Sequence, residues 1–494
     1  MTYLLGIDLG TSSVKVALFE SAALHLIATA VREYPVNQPQ PGYAEQDPET
    51  WWQGVVGAVR DVLDGRNPHD VQAIGLDGQM HGLVCLDADY MPLLPAIIWA
   101  DARAAKEIEE LAAFRKMAAA TLPGPPAAGF AATSALWLSH NQPSLLEQTH
   151  SVLLPKDFLR LQLTGLPGSD PSDAASTWLF DIETGSWAPE IVSFCGLRLE
   201  LMPPILPSAR LAGGLIEMAA KALGLPSGIP VVSGCADLPA QALGHGVIDP
   251  GTVLVTVGTG GQVFSPLGAL PQDPAENLYI FQHAVPDRWY VQAAMLSAGL
   301  SLRWLRDLLG RAGQEGAYEK LSDMASVVPA GAEGLLFLPY LAGERTPHMD
   351  ARASGLFLGL RLHHQAGHLA RAIMEGVGFA VKQCLELVAA GTDNVILSGG
   401  VTKSEIWRQI LADIWDRPVQ ITNQEMPRAC LGSAVLAGVG TGIYADAREA
   451  LRKRAEPLTT ISPHSADQYT NGYEQYLRLY PLLKSEMHQL TTDV

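Results

Sequence analysis

Two aspartates in this chain stand where a carboxylate is costly unless it does chemistry. Asp8 interrupts an apolar, strand-like run in Leu5-Gly6-Ile7-Asp8-Leu9-Gly10-Thr11-Ser12-Ser13-Val14-Lys15-Val16. A charge placed in a buried strand needs a partner, so the position calls for a cation, and beside phosphates that cation is Mg²⁺. The turn that follows can cradle an anion: Gly10-Thr11-Ser12 leaves backbone N–H groups free, with little side chain to block approach. Lys15, on the returning strand, adds positive charge. Roughly half a chain later the pattern recurs as Val253-Leu254-Val255-Thr256-Val257-Gly258-Thr259-Gly260-Gly261-Gln262. Two such turns facing one another form a clamp for a polyphosphate.

The second aspartate lies in Pro230-Val231-Val232-Ser233-Gly234-Cys235-Ala236-Asp237-Leu238-Pro239, where a strand runs through small residues into a helix. Asp237 can cap that helix, with Pro239 in the first turn. The same carboxylate, at the end of a core strand, can also project into a cleft as a general base. A third group, Gly78-Gln79-Met80-His81-Gly82, follows the strand Val71–Leu76, at the kind of strand end where α/β proteins bind ligands. Trp99, Asp101 and Arg103 form a similar polar loop after Pro95-Ala96-Ile97-Ile98.

These groups need rigid supports, and the chain supplies them. Strand-like runs alternate with helical patterns throughout, which marks an α/β protein. Asp47-Pro48 opens a helix with Trp52, Val55, Val56, Val59 and Leu63 on one face. Asn394 to Leu397 reads as a strand, Ser398-Gly399-Gly400 as a turn, and Ile406, Trp407, Ile410, Leu411, Ile414 and Trp415 as the apolar face of a helix. The segment Leu431 to Gly438 is rich in small residues, so another element must pack closely against it. The pattern breaks at Gly244-His245-Gly246 and Asp249-Pro250-Gly251, dividing the chain into domains 1–246 and 247–494 with the site between them.

Composition narrows the partners. The 494 residues are 48% hydrophobic and only 17% charged, which suits a compact globular fold. A net charge of −18 argues against nucleic acid. Five scattered cysteines without metal-ligand spacing suit a reducing cytoplasm, and no apolar run is long enough for a signal peptide or membrane span.

Taken together, these motifs resemble the FGGY carbohydrate kinases, and most closely their xylulokinase branch. The likeness extends through Glu45-Gln46-Asp47-Pro48-Glu49-Thr50-Trp51-Trp52, Leu154-Pro155-Lys156-Asp157-Phe158-Leu159-Arg160 and Ser172-Asp173-Ala174-Ala175. It continues in Gly343-Glu344-Arg345-Thr346-Pro347-His348, Gly355 to Leu360 and His368 to Glu375. The resemblance implies a two-domain actin-like, ribonuclease-H-like ATPase fold with a deep interdomain cleft. It implies ATP as co-substrate, Mg²⁺, phosphorylation of D-xylulose at its terminal hydroxyl, and a homodimer. By the same resemblance Asp237 is the base and Asp8 organises Mg²⁺ through water. Thr11, Ser12, Lys15, Gly258 and Thr259 hold phosphates; Gly399, Gly400 and Ser404 line the adenosine pocket; Met80, His81 and Trp99 meet the sugar.

Three positions depart from the branch's pattern. Leu238 and Ala100 replace asparagines, and Ser134 replaces a lysine. They bear on which sugar is taken (ribulose, L-xylulose and erythritol are the alternatives) more than on kinase chemistry. A non-catalytic ATP switch of the actin or Hsp70 kind would need neither Asp237 nor the Met80-His81 loop.

Overall fold

In the computed structural model, which describes residues 1–272, 275–389, 391–423, 425–454 and 458–490, the chain builds two lobes on a common plan. The first sheet has the order Leu26–Glu33, Ser13–Glu20, Tyr3–Leu9, Val71–Gly78, Pro230–Val232, Leu211–Gly214. The second repeats it as Trp289–Met295, Gly261–Leu267, Thr252–Val257, Asn394–Ser398, Val419–Ile421, Thr459–Ile461, with Tyr279–Gln282 added at one edge. In each, the first three strands are antiparallel, the next two pairings are parallel, and the last strand is antiparallel again. The recurrence of the turn motif is thus the visible part of a duplicated sheet.

The central strands are apolar on both faces because helices cover both. Leu4, Leu5, Ile7 and Leu9 are all buried. On one face lies the helix Pro48–Leu63, capped by the Asp47 side chain, which accepts the Glu49 N–H, with Pro48 in its first turn. Its buried face carries Trp51, Val55, Ala58, Val59 and Val62. That face is turned about one residue from the stripe expected of the sequence: Trp51 is the core tryptophan, and Trp52 and Val56 are half-buried at its margin.

The other face of the first sheet is covered by the helix Arg428–Gly440, which comes from far along the chain. Here the small residues find their partner. A Cβ on Gly75 would overlap the Ser433 carbonyl oxygen, one on Gly6 would overlap that of Cys430, and one on Gly432 would meet that of Ala240. Backbone lies against backbone, so relief requires main-chain movement. Gly75→Ala is therefore expected to cost ~3 kcal/mol, read as a lower denaturant midpoint at unchanged slope.

The same helix reaches back across the division at 246/247. The chain leaves the first lobe after the helix Asp237–Gly244 and enters the second sheet at Thr252–Val257. It returns after Val419–Ile421 to lay Arg428–Gly440 on the first sheet, then rejoins the second at Thr459–Ile461. No helix among the described residues is long and apolar enough to cross a membrane.

Candidate active site

Sheet register assembles the acidic centre. Asp8 is level with Asp77 on the neighbouring parallel strand and with Lys15 across the hairpin. Cys235 is level with Asp77 on the other side, so Asp237 follows two residues beyond. Three carboxylates thereby gather at the carboxyl ends of parallel strands. Ala236, not Asp237, is the cap residue of the helix Asp237–Gly244, and no side chain caps that end. The Asp237 carboxylate is free to face the cleft.

Burial sets the protonation of the group. Asp77 is fully buried, accepts a 2.6 Å hydrogen bond from Ser433 Oγ, and lies beside Asp8. Desolvation, then the Asp8 charge, push it well above the usual carboxylate range. Asp8 is itself raised by burial and held back by the Lys15 charge and by its interaction with Asp77. Desolvation and the nearby Asp8 charge raise Asp237 to about 7. All these donors are hard oxygens, a set that fits Mg²⁺ with water between and does not fit a softer metal.

Three adjacent chambers line the cleft between the lobes. The first, about 360 Å³, is lined by Asp8, Thr11, Met80, His81, Trp99 and Asp237 from one lobe and by Gln262, Gln292 and Arg345 from the other. The second, about 370 Å³, shares Asp8, Gln241 and Ala429 with the first and adds Lys15, Gly399 and Lys403. The third, about 880 Å³, shares Gly400 and Lys403 with the second and adds Gly258, Thr259, Tyr318, Ser322 and Ser404. Ser404 also starts the helix Glu405–Trp415, its hydroxyl meeting the Trp407 N–H and Ser322 Oγ.

Local geometry explains several of these positions. Thr11 Oγ1 accepts a 2.8 Å hydrogen bond from Trp99 Nε1, tying the indole to the first turn. Gly399 has φ +91° and a Cβ there would overlap the Val257 carbonyl, so only glycine lets that loop reach the second turn's strand. His81 lies 2.7 Å from the Ser176 carbonyl through Nδ1 and stacks on Phe130 at 4.2 Å. A carbonyl only accepts, so Nδ1 carries the proton. Burial lowers the ring's pKa to about 3, and the neutral ring presents Nε2 as an acceptor.

Of the residues assigned a catalytic, sugar, phosphate or adenosine role from the sequence, all line the three chambers except Ser12, whereas Asp101 and Arg103 of the polar loop line none of them. Ser12 is exposed, and its carbonyl accepts the Tyr34 N–H. Gln241, Gln262, Gln292, Lys403 and Tyr318 carried no signal of their own. Arg345 did stand in a quoted motif, yet nothing local says that it faces Asp237. Leu238 lines the first chamber, whereas Ser134 is buried in the helix Ala131–Asn141 and lines no chamber.

Comparison with known proteins agrees with this arrangement. The profile of the FGGY family of carbohydrate kinases, N-terminal domain, matches residues 3–244, and that of the C-terminal domain matches residues 253–441. The chain is 36% identical to a xylulose kinase of Escherichia coli, covering 97% of this chain and 99% of that one. It is 32% identical to one of Bacillus subtilis, with 97% of each covered. The crystal structure of a xylulose kinase from Rhodospirillum rubrum superposes with a TM-score of 0.89 at 30% identity, covering 98% of this chain and all of the other.

Proposed function

The chain belongs to the FGGY family of carbohydrate kinases, and from that premise we propose that it transfers the γ-phosphoryl group of ATP to the terminal hydroxyl of D-xylulose, giving D-xylulose 5-phosphate. The observation that carries this reading is the row of three adjacent chambers with shared walls, with Asp237 in one and the duplicated turns along the row. Their sizes and linings suit a sugar, a triphosphate and a nucleoside in that order. The full-length likeness to xylulose kinases supports the choice of sugar.

In this reading the sugar enters the chamber of Met80, His81 and Trp99. His81 Nε2 accepts a hydrogen bond from a sugar hydroxyl, and Gln262, Gln292 and Arg345 close from the facing lobe. Asp237 takes the proton of the terminal hydroxyl as its oxygen bonds to the γ-phosphorus. The bond from that phosphorus to the β–γ bridging oxygen breaks, and ADP leaves. Thr11, Lys15, Gly258 and Thr259 position the phosphates, and Gly399, Gly400 and Ser404 border the nucleoside. Asp8 would hold Mg²⁺, and the ion would supply charge neutralisation to the triphosphate. We assign the reaction to the cytoplasm, in keeping with five buried, free cysteines.

A base near pH 7 leaves a kinetic trace. Only deprotonated Asp237 accepts the proton, so kcat/KM for the sugar should fall below about pH 7, close to tenfold per pH unit. A profile that stays flat between pH 6 and 8 excludes Asp237 as the titrating base. The substrate itself is tested by comparing D-xylulose, D-ribulose, L-xylulose and erythritol in a coupled ADP assay. Leu238, which lines the chamber and offers the sugar no hydrogen bond, makes the order of rates across these sugars the deciding result.

A further inference from the structure

We propose that Glu333, His363 and His364 form a binding site for a borderline divalent cation of the zinc class, with His368 orienting the carboxylate from behind. The site is on the second lobe, and none of its residues lines the chambers of the cleft.

A short ladder brings these residues together. Leu336–Leu338 pairs antiparallel with Leu356–Leu358, Leu336 opposite Leu358, so the chain entering the first strand passes the chain leaving the second. The approach is tight, since a Cβ on Gly359 would overlap the Gly334 carbonyl. Ala332 and Glu333 are both left-handed, with φ of 44° and 54°, a conformation unfavourable for residues other than glycine. That turn aims the Glu333 carboxylate at the imidazoles. Glu333 Oε2 is 3.1 Å from His363 Nε2 and 3.5 Å from His368 Nε2. The His364 ring centroid is 4.3 Å from that of His363 and 5.1 Å from that of His368. Three imidazoles therefore surround one carboxylate.

Hydrogen bonding sorts them into ligands and support. His368 Nδ1 accepts the Gln365 N–H in the capping box of the helix Ala366–Val388. Its ring proton is on Nε2 and points to Glu333, the usual arrangement of a residue that orients a ligand. His364 accepts the Arg361 N–H at Nδ1, and its Nε2 is buried without a hydrogen-bond partner. A cation there takes the place of the Nε2 proton, which moves to Nδ1 at the expense of the Arg361 contact. One donor atom each from Glu333, His363 and His364 lies within 4.8 Å of the other two. A tetrahedral ion with bonds of about 2.1 Å needs spacings of roughly 3.4 Å, a closure that exposed side chains can make. Two nitrogens and one oxygen select Zn²⁺, Co²⁺ or Ni²⁺ over Mg²⁺ and Ca²⁺. The bound ion would fasten the turn at Glu333 to the start of the helix Ala366–Val388.

The test uses the full-length protein, stripped with chelator and supplied with excess Mg²⁺ to occupy the cleft. Titration with Co²⁺, followed by visible absorption, and with Zn²⁺, followed by calorimetry, should show one equivalent bound. His363→Ala/His364→Ala should lose that equivalent, and His368→Gln should bind it about 10–100-fold more weakly. Wild-type protein that takes up no Co²⁺ overturns the proposal. So does a double variant that binds the same equivalent with the same affinity. Sugar phosphorylation with Mg²⁺ and ATP, at wild-type rate in all three proteins, reports separately on the catalytic assignment and on folding.

Discussion

Asp237→Ala should lower sugar-dependent turnover by ~10²–10⁴-fold while leaving ATP affinity close to that of the wild type. The size follows from what is removed. Asp237 is the carboxylate that borders the sugar chamber with a pKa near 7, so it is ionised for much of the time at neutral pH yet basic enough to take a proton. Asp8 and Asp77 are unsuited to replace it: Asp8 borders both the sugar and the phosphate chamber but is paired with the Lys15 charge, and Asp77 is buried and lines neither chamber. The fold should survive, because the helix Asp237–Gly244 has no side-chain cap to lose. Single-turnover rates and nucleotide titration separate the two effects. A variant that phosphorylates at the wild-type rate would reduce Asp237 to the first residue of a helix.

Lys156→Met should destabilise the protein by ~3–5 kcal/mol, with turnover falling beyond the loss of folded enzyme. Lys156 Nζ, wholly buried, is 2.6 Å from Asp157, 3.1 Å from Asp170 and 3.7 Å from Asp173. Arg160, also buried, reaches Ser233 Oγ at 3.1 Å. Two cations thus face three carboxylates, and burial raises Asp173 well above its ordinary range. Without Lys156 the remaining charges have no solvent to turn to. The cluster also reaches the site: Asp170 accepts from Ser172 Oγ at 2.6 Å, and Ser172 Oγ accepts the Ala236 N–H at 3.0 Å, one residue before Asp237. Guanidinium unfolding measures the first effect. Rates normalised to folded protein measure the second, and unaltered normalised rates would confine the cluster to stability. Asp157→Asn in the same chain should return part of the lost stability by removing one of the stranded charges.

What the sequence revealed of this site was whatever is local. Asp8 and the turn after it, and Asp237 between a strand and a helix, are visible because one short segment holds both the anomaly and its explanation. Gln262, Gln292 and Arg345 were opaque for the opposite reason: each becomes part of the site only when the second lobe faces the first. The same limit applied to Leu431 to Gly438. Its small residues announced a close neighbour, but nothing local says that the neighbour is a sheet made from the beginning of the chain. Trp51 and Trp52 show a finer limit. Adjacent tryptophans both satisfy a helical stripe, and the hydrogen bond from Trp51 Nε1 to Gln46, which selects one, joins elements that a periodicity does not relate. The likeness of the two turn motifs, by contrast, extended to whole sheets, because duplication preserves strand order even where side chains have changed.

The helix Arg428–Gly440 carries a consequence for how the molecule comes into being. A ribosome makes the first sheet's strands early and this cover late. Until then Leu4, Phe19 and Ala73, which the helix and its neighbours bury, remain bare on the nascent chain. The first lobe cannot mature as an independent unit during translation, and a chain released before residue 428 would expose a sticky apolar sheet.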